Sequence, residues 1–151
     1  MEYTHLVSAA ALVTNESGQI LLVNSPRRGW EYPGGLLEPG ETFQQAQRRE
    51  VREESGVEVE ITGFVGICKN IEKDIVNIDF TARCVGGDLK ISEESTEVGW
   101  FTPEEAMEKI TFPLTKKRLA NMLAADREVH LFGFRHVPFT AYDDETYPVG
   151  K

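Results

Sequence analysis

The sequence predicts an α/β fold, a mixed β-sheet carrying helices on its faces. Three observations support it. Runs of apolar and β-branched residues alternate with stretches of helical period. Neighbouring strand-like runs are paired as hairpins in two places. Finally, 151 residues with 40% hydrophobic and 27% charged content suffice for one core of ordinary size but not for two.

From His5 to Asn24 the pattern is strand, turn, strand: Leu6 to Val13, the turn-prone Asn15-Glu16-Ser17-Gly18, then Ile20 to Val23. Residues 25 to 41 hold three prolines and four glycines, so this stretch is loop and short strand. A helix follows. Thr42 is its expected N-cap, Gln45 completes a capping box, and Gly56 stands where a left-handed stop belongs. Val57 to Lys69 and Asp74 to Cys84 read as two strands. In the second, Val76, Ile78, Phe80, Ala82 and Cys84 alternate with Asn77, Asp79, Thr81 and Arg83, so one face is apolar and the other free for polar work. Val98 to Phe101 is a short further strand. Thr102-Pro103-Glu104-Glu105 opens a second helix, with N-cap, Pro at the first helical position and early acids. Pro113 to Ala125 is a third, apolar at Leu114, Leu119, Met122 and Leu123. The expected division is a main domain over 1–128 and an aromatic-rich tail over 129–151, bearing Phe132, Phe134, Phe139, Tyr142 and Tyr147. Packing of that tail on its own domain is the first expectation, contact with a second subunit in a homodimer the next, and a place over a substrate cleft the last.

Composition narrows the function. Sixteen basic against 25 acidic residues give a formal net charge of −9, which provides no field for nonspecific nucleic-acid binding. The longest unbroken apolar run, Ala9 to Val13, is too short to span a bilayer, and Met1 to His5 lacks a basic leader, so a cytoplasmic protein with no membrane partner is expected. Cys68 and Cys84 read as buried free thiols. The scattered His5, His130 and His136 offer no transition-metal spacing, so a metal, if bound, sits on oxygen.

Within the helix from Thr42, Glu50, Glu53 and Glu54 stand at i, i+3 and i+4, three carboxylates within about 100 degrees of arc. They repel one another, and the last two lie where the helix dipole disfavours acids, each effect costing a few tenths to about 1 kcal/mol. A divalent cation, Mg²⁺ or alternatively Mn²⁺, is the natural compensation. The competing reading is a salt-bridged solvated face, since Arg48, Arg49 and Arg52 are interleaved with the acids. The glycine and proline loop from Pro33 to Gly40 favours the cation, because it brings backbone groups up to whatever the acids bind.

Read in full, Gly35-x5-Glu41-x7-Arg49-Glu50-Val51-x-Glu53-Glu54-x-Gly56-Val57 resembles the signature of the Nudix hydrolases with every specified position filled. The resemblance reaches beyond residues 35–57 to the flanking Gly29 to Gly35 and Glu97 to Phe101 segments. It implies an α/β/α sandwich and hydrolysis of a nucleoside diphosphate linked to a group X. It also implies that Gly35 (through its carbonyl), Glu50, Glu53 and Glu54 ligate Mg²⁺, and that Arg49 pairs with Glu41. Glu53 is the first choice for the base that activates water, with Glu54 beside it; Glu93, Glu94 and Glu97 are the alternatives from a distant loop. Arg27, Arg28 and Glu38 are the candidate substrate contacts. Trp30 is expected in the core. A nucleoside triphosphate is the leading substrate, ADP-ribose or a nucleotide sugar the alternative, and a nucleotide-sensing domain without catalysis the competing class. A phosphate-loop NTPase is excluded because Gly-x4-Gly-Lys-Ser/Thr does not occur.

Overall fold

In the computed structural model, which describes residues 1–150, twelve elements follow the chain: β1 (Leu6–Thr14), β2 (Ile20–Ser25), β3 (Gly29–Glu31), β4 (Gly34–Leu36), α1 (Phe43–Ser55), β5 (Val57–Asn70), β6 (Ile75–Gly87), β7 (Glu97–Phe101), α2 (Pro103–Lys109), α3 (Pro113–Leu123), β8 (Glu128–His136) and β9 (Phe139–Pro148). The strands form one mixed sheet in the order β3-β2-β1-β6-β5-β8-β9, with β4 against β1 and β7 against β2. Among the described residues no helix is long and apolar enough to cross a membrane.

Alternation along β1 sorts side chains between two cores. Ala9, Ala11 and Val13 join Val51 of α1, with Ile78 and Phe80 of β6. Ala10 and Leu12 face the other way, onto Ala106, Ile110, Leu119 and Met122 of α2 and α3. Helices thus cover both faces, which makes the expected α/β/α sandwich. Trp30 packs into the second core with its ring edge-to-face on Phe101 at 5.2 Å.

Two features differ from the sequence reading. The β1–β2 hairpin closes only at Thr14 and Ile20. Beyond that pair the strands part, because β4 takes the freed edge of β1 through Ser8, Ala9 and Ala10, and β3 takes that of β2 through Val23, Asn24 and Ser25, while β7 covers the opposite edge of β2. The approach of β4 needs glycine: a Cβ at Gly34 would lie 2.7 Å from the Ala10 Cβ. The polar face of β6 differs too. Asn77 and Asp79 on it are buried, because α3 crosses that side of the sheet.

The chain after residue 128 continues the same sheet. β8 runs parallel to β5 from Gly66 and His130 to Asn70 and Phe134, and β9 returns antiparallel at the edge. Phe132 and Phe134 close a third cluster with Cys68 and Leu114.

Candidate active site

Helix α1 ends against the glycine strand because both of its boundaries are specified locally. Thr42 accepts from the Gln45 amide at 3.1 Å while Gln45 Oε1 accepts from the Thr42 amide at 2.9 Å, and Gly56 takes φ 80° to stop the last turn. The helix therefore starts and stops where the acids are needed. A Cβ on Gly35 would fall 2.5 Å from the Glu50 carboxyl carbon, so that carboxylate lies directly on the β4 backbone. Glu54 is buried beside it, and the Gly34 amide reaches its carboxylate. Burial, and then the Glu50 charge, push the Glu54 acid up to about 9.

Arg49 organises the rest. Its Nε and Nη2 donate to the two oxygens of Glu41 at 2.7 and 2.8 Å, Nη1 donates to Glu50 at 2.9 Å and Glu53 at 3.3 Å, and Nη2 also reaches the Leu36 carbonyl at 3.1 Å. Glu41 in turn accepts from the Glu38 amide at 2.8 Å. The Arg49 guanidinium, followed by that amide, holds the Glu41 acid down at about 2. The pairing of Arg49 with Glu41 is thus present, as a bidentate clamp tying loop to helix.

The three helix acids do not converge as their spacing led us to expect. Glu50 and Glu54 adjoin on the glycine strand, but Glu53, with 58% of its side chain exposed, is turned toward Arg49 four residues back. Among the described residues no group of three acidic, cysteine or histidine side chains stands as a ready cation cage. The physical reason is Arg49, which bridges Glu50 and Glu53 and holds Glu53 outward. The donor set nevertheless fits a hard divalent ion: oxygen only, with a buried acid whose charge is opposed by its neighbour and relieved by a cation.

A cleft of about 540 Å³ opens beside this strand and is bounded by Gly34, Gly35 and Leu36 at the acidic end. Arg27 and Arg28 line it; Glu38 and Trp30 do not. Arg28 is engaged by Glu31 at 2.8 and 3.2 Å. Glu38 is exposed and stands 3.7 Å from Arg49, a member of the loop clamp. Glu93, Glu94 and Glu97 are exposed and outside the cleft lining.

Sequence reasoning missed the opposite wall. Arg118, 8% exposed, donates from Nε at 3.1 Å and from Nη2 to Asp79, 4% exposed, on β6. Its guanidinium lies 5.3 Å over the buried ring of Tyr32. A signal existed: Arg118 sits four residues after Leu114 and four before Met122, in the apolar stripe of α3, and Asp79 sits in a strand with buried neighbours.

The NUDIX domain family model matches residues 4–123. The chain is 41% identical over 107 residues to a MutT-like protein of Streptomyces ambofaciens, covering 70% of each. It is 30% identical over 107 residues to an ADP-ribose pyrophosphatase of Methanocaldococcus jannaschii, covering 66% of this chain and 63% of the relative. The solved structure of a NUDIX hydrolase from Nitrosomonas europaea superposes with a TM-score of 0.76 at 25% identity, over 89% of this chain and 81% of that one.

Proposed function

The chain belongs to the NUDIX family of hydrolases, and from that premise we propose that it cleaves the diphosphate of a small nucleotide with Mg²⁺, a nucleoside triphosphate being the leading substrate. The observation that carries this reading is the pressing of Glu50 and Glu54 onto Gly34 and Gly35 at the end of a cleft of nucleotide size.

Glu50, Glu53, Glu54 and the Gly35 carbonyl would hold the divalent ion, which would neutralise charge on the diphosphate and make the attacking water easier to deprotonate. Each protein group then has a task that its position supports. Arg49 keeps Glu50 against the glycine strand and ties the 36–41 loop to α1, so the acids meet the substrate already ordered. Glu53, the most exposed of the three helix acids, takes the proton of the attacking water. Arg27 and Arg28 at the rim meet the phosphate oxygens farther from the attacked bond.

The deciding assay measures phosphate and pyrophosphate release from a panel of nucleoside triphosphates, and phosphomonoester products from ADP-ribose and nucleotide sugars, with and without Mg²⁺, all products being identified by mass. Metal-dependent cleavage of a triphosphate is expected. ADP-ribose joins the panel because the archaeal relative is named for it. Binding of nucleotides with no cleavage under any divalent ion overturns the reading in favour of a sensing domain. Near-wild-type turnover in Glu53→Gln at saturating Mg²⁺ removes Glu53 as the base.

A further inference from the structure

The cleft wall opposite the acids has no task in the cleavage just described. Arg118 is a nearly buried charge whose fork is only half used. Nε and Nη2 are spent on Asp79, while Nη1 makes no hydrogen bond to the described residues and keeps solvent contact, on a residue that lines the cleft. Asp79 is not part of the lining; it sits behind Arg118, cancels its charge and fixes the plane of the guanidinium. Tyr32 supports that plane from the side. Asn77, also buried, spends its Nδ2 on the Cys68 carbonyl at 3.4 Å and leaves Oδ1 without a donor among the described residues, and it too lines the cleft. Phe112 and His136 line the cleft as partly exposed rings tilted at 55° to one another with centroids 5.3 Å apart, His136 standing edge-on at 5.1 Å over the buried Phe134.

These groups select for a particular chemistry. A wall whose positive charge is already neutralised is a poor phosphate site, and Arg27 and Lys73 elsewhere on the cleft supply better ones. The exposed parts of Phe112 and His136 offer an aromatic face and an edge to a planar ring. The rigid open donor of Arg118 requires an acceptor, and Asn77 Oδ1, on the same face of β6 two residues before Asp79, requires a donor. A ring carbonyl beside a ring N–H meets both demands. An exocyclic amine in the carbonyl's place would point hydrogens at Arg118 and leave its donor unpaired once the ligand shuts out water.

We propose that Arg118 and Asn77, with Arg118 held by Asp79 and Tyr32, read the nucleobase of the substrate and select oxo bases, the 6-oxopurines and 4-oxopyrimidines, over their amino counterparts. This deepens the hydrolase reading and rests on it for the identity of the ligand as a nucleotide. Arg118 and Asn77 are specificity residues; Asp79 and Tyr32 are positioning residues.

Inosine and adenosine monophosphates differ chiefly in this carbonyl or amine, and so do the uridine and cytidine pair. Calorimetric binding of the four monophosphates without metal, alongside cleavage of the matching triphosphates with Mg²⁺, tests the proposal. The inosine and uridine forms are expected to bind, and their triphosphates to be cleaved, about tenfold or more in preference to the amino forms. In Arg118→Lys, which keeps a cation for Asp79 but loses the planar fork, the preference should shrink to about twofold or less while the melting temperature confirms folding. Equal affinity of the wild-type protein for inosine and adenosine monophosphates overturns the proposal, whatever the fate of the variant. Cleavage of all triphosphates at equal rates overturns it and leaves the hydrolase standing. An inosine preference in binding with no cleavage of any triphosphate upholds the base reading and sinks the hydrolase instead.

Discussion

Arg49 and Arg118 are both largely shielded arginines facing carboxylates, yet their surroundings differ in kind. Arg49 keeps 15% of its side chain exposed and is saturated by partners within thirteen residues of sequence: Glu41, Glu50, Glu53 and the Leu36 carbonyl. Arg118 meets a single carboxylate from 39 residues away and keeps one nitrogen free. The first arrangement orders a loop and a helix and leaves the arginine no capacity for a ligand. The second sets a neutral, rigid donor in a cleft wall. Water access also differs, and so does the cost of removing a partner: Arg49 has others to fall back on, Arg118 has none.

Breaking each clamp tests that difference. Asp79→Ala strands a buried guanidinium and is expected to lose about 3–5 kcal/mol in urea denaturation; a loss under about 1 kcal/mol would mean that water already reaches Arg118. Arg49→Ala should lower kcat by roughly 10- to 100-fold, since it frees Glu41 and Glu50, with a smaller effect on stability than Asp79→Ala. If the stability order reverses, the contrast drawn here is wrong.

Two acids of the same site titrate with opposite sign. The Glu41 acid lies near 2, below its ordinary 4.5, so its contribution is full above pH 4.5 and lost as pH falls through about 2. The Glu54 acid lies near 9, above 4.5, so stability is full below pH 4.5 and lost as pH rises toward 9. Melting temperatures in metal-free buffer should therefore fall on both limbs. Glu41→Gln should flatten the acid limb and Glu54→Gln the alkaline one, and a Glu54→Gln curve parallel to wild type would remove burial as the cause. The smallest effect belongs to the exposed Arg83–Glu60 pair across β6 and β5, where Arg83→Ala should cost less than about 1 kcal/mol.

Much of the acidic end was readable before any coordinates, because its determinants are neighbours in the chain. The Thr42 and Gln45 cap, the Gly56 stop and the Arg49–Glu41 pair each depend on spacings of a few residues, and each is present. Glu53 is where spacing failed. Its angular place on α1 is as expected, but a helical wheel carries no information on which acid Arg49 draws away. The β1–β2 hairpin was similarly half legible: its turn follows from Asn15 to Gly18, whereas the parting of the strands follows from β4 and β3, which compete for the same edges.

Local chemistry in the sequence determined the family, the glycine strand and the acidic helix, since caps, turns and motif spacing act over one or two turns of backbone. Only tertiary structure decided what faces them. The pairing of Asp79 with Arg118, the burial of Asn77 and the addition of β8 and β9 to the sheet join segments tens of residues apart. Such contacts form where α3 crosses β6, and no periodicity along one strand or one helix specifies which polar residue another element will bury.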